Sequence, residues 1–224
     1  MFQIKALRCE RGQRILFSGL TFKVEPGQLV LVRGPNGSGK SSLLKILAGL
    51  LPASSGQRFW RGEKIEQPDP RFAAELLYLG HRNAVEPSLT PVQNLVGLLR
   101  MTALLIPTTR EIEIALQKVA LGGFEHIPCE ALSKGQCQRV ALARLWLNPP
   151  PCWILDEPVT ALDQAGIDLF NEALQQHLEK QGLAILATHH DFSGSDPNKR
   201  QADFCSPLVS YLDLDRTSGF GLIE

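Results

Sequence analysis

Arg33 to Leu51 reads RGPNGSGKSSLLKILAGLL. The apolar run QLVLV leads into it, and leucines and isoleucine at helical spacing follow its glycines. The order predicted is therefore strand, glycine-rich loop, helix, with Pro52 and ASSG ending the helix. Gly34, Pro35, Asn36, Gly37, Ser38, Gly39, Lys40 and Ser41 fit the spacing G-x-x-x-x-G-K-[ST], and Ser42 follows. Glycines let such a loop curl until successive N–H groups converge on phosphate oxygens. A lysine here reaches the β- and γ-phosphates, a serine hydroxyl ligates Mg²⁺, and the helix dipole favours negative charge. A flexible surface turn is the alternative, and the flanking strand and helix count against it.

Around this loop lies a chain of 224 residues, enough to bury a substantial core. Lys and Arg together number 23, as do Asp and Glu, so the basic footprint of a nucleic-acid binder is missing and no nucleic-acid partner is expected. Five cysteines (Cys9, Cys129, Cys137, Cys152, Cys205) show no CxxC and no metal-ligand spacing, which predicts a reduced, cytoplasmic setting. MFQIKALRCERGQR has polar residues where a secretory signal carries its apolar segment, and no signal peptide is expected. The most apolar long stretch, Asn94 to Pro107, is interrupted by Arg100 and falls short of the roughly 20 residues that cross a bilayer. Work at a membrane would need another chain to span it.

Alternating FQIKAL and LTFKV predict antiparallel strands near the N-terminus. CWILDEP and LAILATHH read as strands buried on both faces, and QAGIDLFNEALQQHLEKQG as a helix that stops at Gly182. Residues 82–151 read mostly helical, with TPVQNLVGLLRMTALL entering at Pro91 and TTREIEIALQKVALGGF ending at Gly122 and Gly123. We expect one α/β domain over 1–224, with a mostly parallel core sheet and an N-terminal antiparallel β subdomain in 1–81 and 152–224. A helical subdomain, 82–151, is inserted in it. Ser193 to Gln201 is polar and predicts a solvated loop before the final strands.

A phosphate site of this kind needs a carboxylate for the metal and a group to activate water. CWILDEP offers Asp156 at the end of a buried strand and Glu157 next to it. Alone, the pair would be solvated carboxylates at a strand end; in a chain with the phosphate loop, they are candidates for both tasks. LSKGQCQRVALARLWL, Leu132 to Leu147, opens with Ser133, Lys134, Gly135 and Gln136 at the head of an amphipathic helix. Taken singly this is an N-cap, with Gln136 closing a capping box. Since Lys40 already has a full cradle, a second set of phosphate-directed donors makes sense as half of a neighbouring molecule's site.

In the order GPNGSGKSS, LSKGQ, WILDEP, ALD, ATHH, the sequence resembles the ATP-binding cassette (ABC) ATPases along nearly its whole length. That resemblance implies the P-loop NTPase fold of ABC ATPases and ATP hydrolysis with Mg²⁺. It identifies Gly34 to Ser42 with the Walker A loop, Ser133 to Gln136 with the signature that meets ATP in trans, and Cys152 to Asp156 with the Walker B strand. Ser41 and Asp156 are then the Mg²⁺ positions, Glu157 the general base, Asp163 part of the D-loop and His189 the switch histidine at the γ-phosphate. His190 has no matched role. The implied partners are a second copy of the chain, head to tail, and integral membrane permease subunits, with the chain peripheral on the cytoplasmic face of the cell membrane. The partner's docking groove is expected around Tyr78 to Leu99, with Val92 and Leu95 as contacts.

Three positions depart from the family pattern. His81, in YLGHRNAVEPSLT, stands where family members carry the Q-loop glutamine; imidazole can still donate to water. Arg11, in CERGQRILF, stands near the place of the aromatic that stacks on adenine, and a guanidinium can stack on a base or simply be solvated. Lys134 replaces a common glycine. CERGQRILFSGLTF, YLGH, RVALARLWL and WILDEP together further resemble the ATP-binding subunits of haem-exporter-type systems of cytochrome c maturation, with His81 as part of the likeness. Another ABC exporter, or a soluble ABC ATPase acting on nucleic acid or ribosomes, is the alternative. A kinase or GTPase with the same loop would lack LSKGQ, and no N-K-x-D guanine-reading motif is present.

Overall fold

The computed structural model describes residues 1–81, 83–102, 107–147, 149–188 and 209–214. His189, His190, the segment Ser193 to Gln201 and Cys205 lie outside the described residues.

Strands β1 (Phe2–Arg11) and β2 (Arg14–Val24) pair antiparallel, and β4 (Ser55–Trp60) and β5 (Glu63–Lys64) extend them, giving four strands among the described residues in the order β2-β1-β4-β5. Along β1 the buried positions change parity, from Phe2 and Ile4 to Leu7 and Cys9. The cause is an irregularity between Ile4 and Leu7, where Ala6 has φ 48° and its N–H is satisfied by the Thr21 hydroxyl at 2.9 Å. One extra residue flips the side-chain alternation, so both halves of the strand still face the core. Opposite this kink stands Gly56 (φ 99°), where a Cβ would lie 2.5 Å from Leu7 Cα.

Among the described residues the second sheet has five strands in the order β6-β7-β8-β3-β9, and every pairing among them is parallel. Its members are β3 (Leu29–Arg33), β6 (Leu76–Leu79), β7 (Cys152–Asp156), β8 (Leu183–Ala187) and β9 (Val209–Asp213). Alternate residues divide between two cores, as a sheet covered on both faces requires. Val30, Val32, Cys152, Ile154, Leu183 and Ile185 pack with helix α1 (Lys40–Leu47) and the antiparallel sheet. Leu29, Leu31, Trp153, Leu155, Ala184 and Leu186 pack with α6 (Gln164–Glu179).

Between β6 and β7 run α3 (Pro91–Thr102), α4 (Thr109–Lys118) and α5 (Lys134–Leu142), with short 3₁₀ turns at Cys129–Ala131 and Ala143–Trp146; the short α2 (Pro70–Ala74) precedes β6. These helices bury their own cluster, including Leu95, Ile112, Leu116, Leu121 and Val140. Their ends are where the sequence places caps. Thr108 and Glu111 close a capping box on α4, and Ser133 with Gln136 closes one on α5. Helix α4 stops at Lys118, short of the glycines expected to end it, because Ala120 turns to φ 56°. Leu95, expected at a docking surface, is fully buried in the helical core, and Val92 is half-buried against it. No helix among the described residues is long and apolar enough to cross a membrane.

Candidate functional site

The loop after β3 owes its shape to two of its glycines. Gly34 has φ 144°, and a Cβ there would stand 2.6 Å from Ser38 Oγ; Gly39 has φ 104°, with Leu16 Cβ 3.1 Å from where a Cβ would be. Gly39 is also the N-cap of α1 and has no side chain to cap with. Leu43 is the first residue of the helix whose N–H bonds back to the Gly39 carbonyl, so the N–H groups of the first turn remain directed out of the helix end. Lys40 is buried, and its Nζ donates to the carbonyls of Gly34 at 2.6 Å and Pro35 at 3.1 Å.

A pocket of about 550 Å³ opens over this helix end. It brings together Asn36, Gly37, Gly39, Lys40, Ser41 and Ser42 of the loop, His81 after β6, and Asp156 and Glu157 at the end of β7. Parallel strands explain the meeting: β3, β6 and β7 all run the same way, so their C-terminal ends, with the loops they lead into, lie on one edge. Asp156 is 2% exposed, and its Oδ2 has no hydrogen-bond partner among the described residues. The hydroxyl of Tyr78 is also buried without a partner among them; burial, and then the nearby Asp156 carboxylate, push it up to about 12. Glu157 adopts φ 54°, with its N–H on the Ala187 carbonyl at 2.8 Å.

Leu16 and Thr160 also line the pocket, and neither was singled out from sequence. Thr160 is three residues past Glu157 and its N–H bonds the Glu157 carbonyl at 3.2 Å, a turn that DEPVT could have suggested. Leu16 carries no sequence signal, because it arrives from the other sheet. Arg11, expected near the base, is exposed at the β1–β2 turn and is not among the residues that line the pocket.

Ser133 to Gln136 do not line this pocket either. Ser133 and Lys134 are exposed; the Gln136 N–H bonds Ser133 Oγ at 3.2 Å while Gln136 Oε1 accepts from the Ser133 N–H at 2.8 Å. The helix they open grips the segment after β7. Gln138 Nε2 donates to the Pro158 carbonyl at 2.7 Å, and Arg139 bridges Asp163 Oδ1 at 2.5 Å and the Val119 carbonyl at 2.9 Å. A Cβ on Gly135 would lie 2.8 Å from the Ala161 carbonyl. The Gly166 N–H and then Arg139 hold the Asp163 carboxyl below its usual range.

Residues 17–160 match the ABC transporter family. The cytochrome c biogenesis ATP-binding export protein CcmA of Pseudomonas fluorescens (strain Pf0-1) is 45% identical over 204 residues, 91% of this chain and 95% of that protein. The chain belongs to the ABC transporter family, in its CcmA branch. The CcmA protein of Vibrio cholerae serotype O1 is 39% identical over 207 residues, 92% of this chain and 100% of its own length. Among solved structures, the dimeric, post-hydrolysis ATP-binding cassette MJ0796 bound to ADP and Pi superposes with a TM-score of 0.79 at 22% identity, covering 100% of this chain and 99% of that one. An ATP-binding subunit of an ABC transporter superposes with 0.81 at 23% identity, covering 100% and 90%. The structural likeness bears on the fold. Membership of the CcmA branch makes the chain an ATPase of the ABC type.

Proposed function

We propose that this ABC ATPase drives a haem-exporter-type complex of cytochrome c maturation, working as two copies that close head to tail on two ATP molecules. What carries the proposal is the single pocket that collects the phosphate loop, His81, Asp156 and Glu157, in a chain so similar to CcmA proteins over its length. In each site the N–H groups at the head of α1 and the Lys40 ammonium take the β- and γ-phosphates. Ser133 and Gly135 of the second copy complete the far side. Glu157 draws the proton of the attacking water as its oxygen approaches the γ-phosphorus, and the bond to ADP breaks in line. Lys40 stabilises the charge that spreads over the transferring oxygens, and His189 shares that role. His81 donates to the water network from the edge of the pocket.

Asp156 Oδ2, buried and unmatched among the described residues, and the Ser41 hydroxyl present hard oxygen donors in one pocket, which fits Mg²⁺. Those two residues would hold the cation, which neutralises charge on the β- and γ-phosphates when bound. The motor sits on the cytoplasmic face of the cell membrane, against permease subunits of the CcmB and CcmC kind, and the core of 1–81 and 152–224 holds the nucleotide while 82–151 faces the partner. Nucleic acid has no part in it.

Affinity capture from detergent-solubilised membranes, with partners identified by mass spectrometry, tests the assignment. Recovery of cytochrome c maturation membrane proteins is expected; recovery of an unrelated permease would sink the haem assignment and leave the ATPase mechanism standing.

A further inference from the structure

Gln138 lies outside the nucleotide pocket, in the middle of α5, yet its side-chain amide makes one of the shortest contacts from the helical region to the residues after β7: Nε2 to the Pro158 carbonyl, 2.7 Å. Pro158 directly follows Glu157, whose φ of 54° is a conformation that L-residues adopt only where their surroundings over-determine it. Three restraints meet there. The Glu157 N–H is tied to the end of β8 through Ala187 O at 2.8 Å, its carbonyl accepts from Thr160 N at 3.2 Å, and the next residue's carbonyl is held by Gln138. The first two belong to the α/β core. The third comes from the helix that opens with Ser133.

We propose that Gln138 is a positioning residue for Glu157 of the same chain, which rests on Glu157 acting on the attacking water. Its neighbours on α5 make the grip continuous: Gly135 abuts the Ala161 carbonyl and Arg139 holds Asp163. Helix α5 thus has two faces with two duties. Its N-terminal turn is offered to the neighbouring copy's nucleotide, while its inner side sets the backbone that aims its own copy's Glu157. A shift of α5 would thus reach Glu157 through a backbone carbonyl. That route is a direct mechanical contact, open to test by removing one donor.

The test is steady-state ATPase kinetics in the assembled membrane complex for Gln138→Met, which keeps length and loses the donor, and for Gln138→Glu, which keeps shape and presents an acceptor. Each is measured with and without Glu157→Gln. We expect kcat to fall about tenfold in both single variants with KM for ATP and thermal midpoint close to wild type, and no further loss when either is added to Glu157→Gln. Wild-type kcat in both Gln138 variants beside an inactive Glu157→Gln would overturn the positioning role alone. The same losses on top of Glu157→Gln, or KM and thermal midpoint worsening in step with kcat, would show Gln138 to be structural only. Normal turnover in Glu157→Gln would remove the premise itself, a result distinct from the others.

Discussion

Glu157 and Asp156 are adjacent in sequence and opposite in setting: Asp156 ends β7 in the interior, and Glu157 begins the turn at φ 54°. Replacing Glu157 with Gln preserves that geometry and removes the base, so ATP binding by equilibrium dialysis should persist while hydrolysis falls more than tenfold, on the order of 1.4 kcal/mol or more in barrier. His177, which had no assigned role in the sequence, gives a second prediction. Its ring stacks on Trp153 with centroids 3.8 Å apart, Nε2 lies 3.2 Å from the Leu183 carbonyl, and burial pushes it down to about 4 from an ordinary 6.5. The unfolded chain takes up this proton near pH 6.5 and the folded chain only near 4. Stability is therefore full above the first value and falls as pH drops toward the second, by about 3 kcal/mol in all. Urea midpoints from pH 7.5 to 4.5 should show that limb, and His177→Phe should flatten it. Lys40, Asp156 and Glu157 were legible because each belongs to a contiguous motif whose chemistry fixes its spacing. Leu16, Gln138 and His177 were not, since each acquires its place from a segment remote in sequence.

Among elements, the helix starts were legible and the register of the first sheet was not. S-x-x-Q announces the cap of α5 because the capping contacts are local, and the T-x-x-E box that the structure shows on α4 is of the same local kind. The strand β4 escapes notice because its first three residues, Ser55 to Gln57, are exposed and its role is to meet the kink in β1. The packing of α5 on the turn after β7 yields a sharp expectation for Gly135→Ala. The new methyl meets a backbone carbonyl at 2.8 Å, not a flexible side chain, so α5 must shift, with a loss of about 1–3 kcal/mol in thermal denaturation and a fall in turnover. The proposed docking of a membrane partner on the insertion is tested at this scale too. Leu95→Glu puts a charge into the helical core and should destabilise by more than about 3 kcal/mol whatever the partner does. Leu89, 36% exposed just before α3, is the informative site: Leu89→Glu should leave the thermal midpoint in place while reducing capture of the membrane subunits.

For the molecule as a whole, the parallel sheet, the antiparallel sheet and the helical insertion were foreseeable from hydrophobic period and the order of motifs. Their contacts were not, because the side chains that join them are chosen by tertiary geometry. The pocket over α1 and the exposed head of α5 lie on one chain without meeting, as expected if each serves a different copy. Specific ATPase activity should accordingly rise with protein concentration in the micromolar range and be lost on Ser133→Arg; activity independent of concentration in a monomer would argue for a one-chain site. The three hydrophobic clusters carry a last consequence. Helix α1 packs in one cluster and helices α3 and α4 in another, while α5 and the turn after it divide between that second cluster (Val140, Ala143) and the one under α6 (Ala141, Leu142, Leu145), as Val85 and Trp146 do. Only part of the insertion is thus an exchangeable cartridge: lineages can rewrite α3 and α4 to suit a new membrane protein while Lys40 and its surroundings stay as they are, provided that α5, with Gln138 and Arg139, and the seam at Val85 and Trp146 are kept.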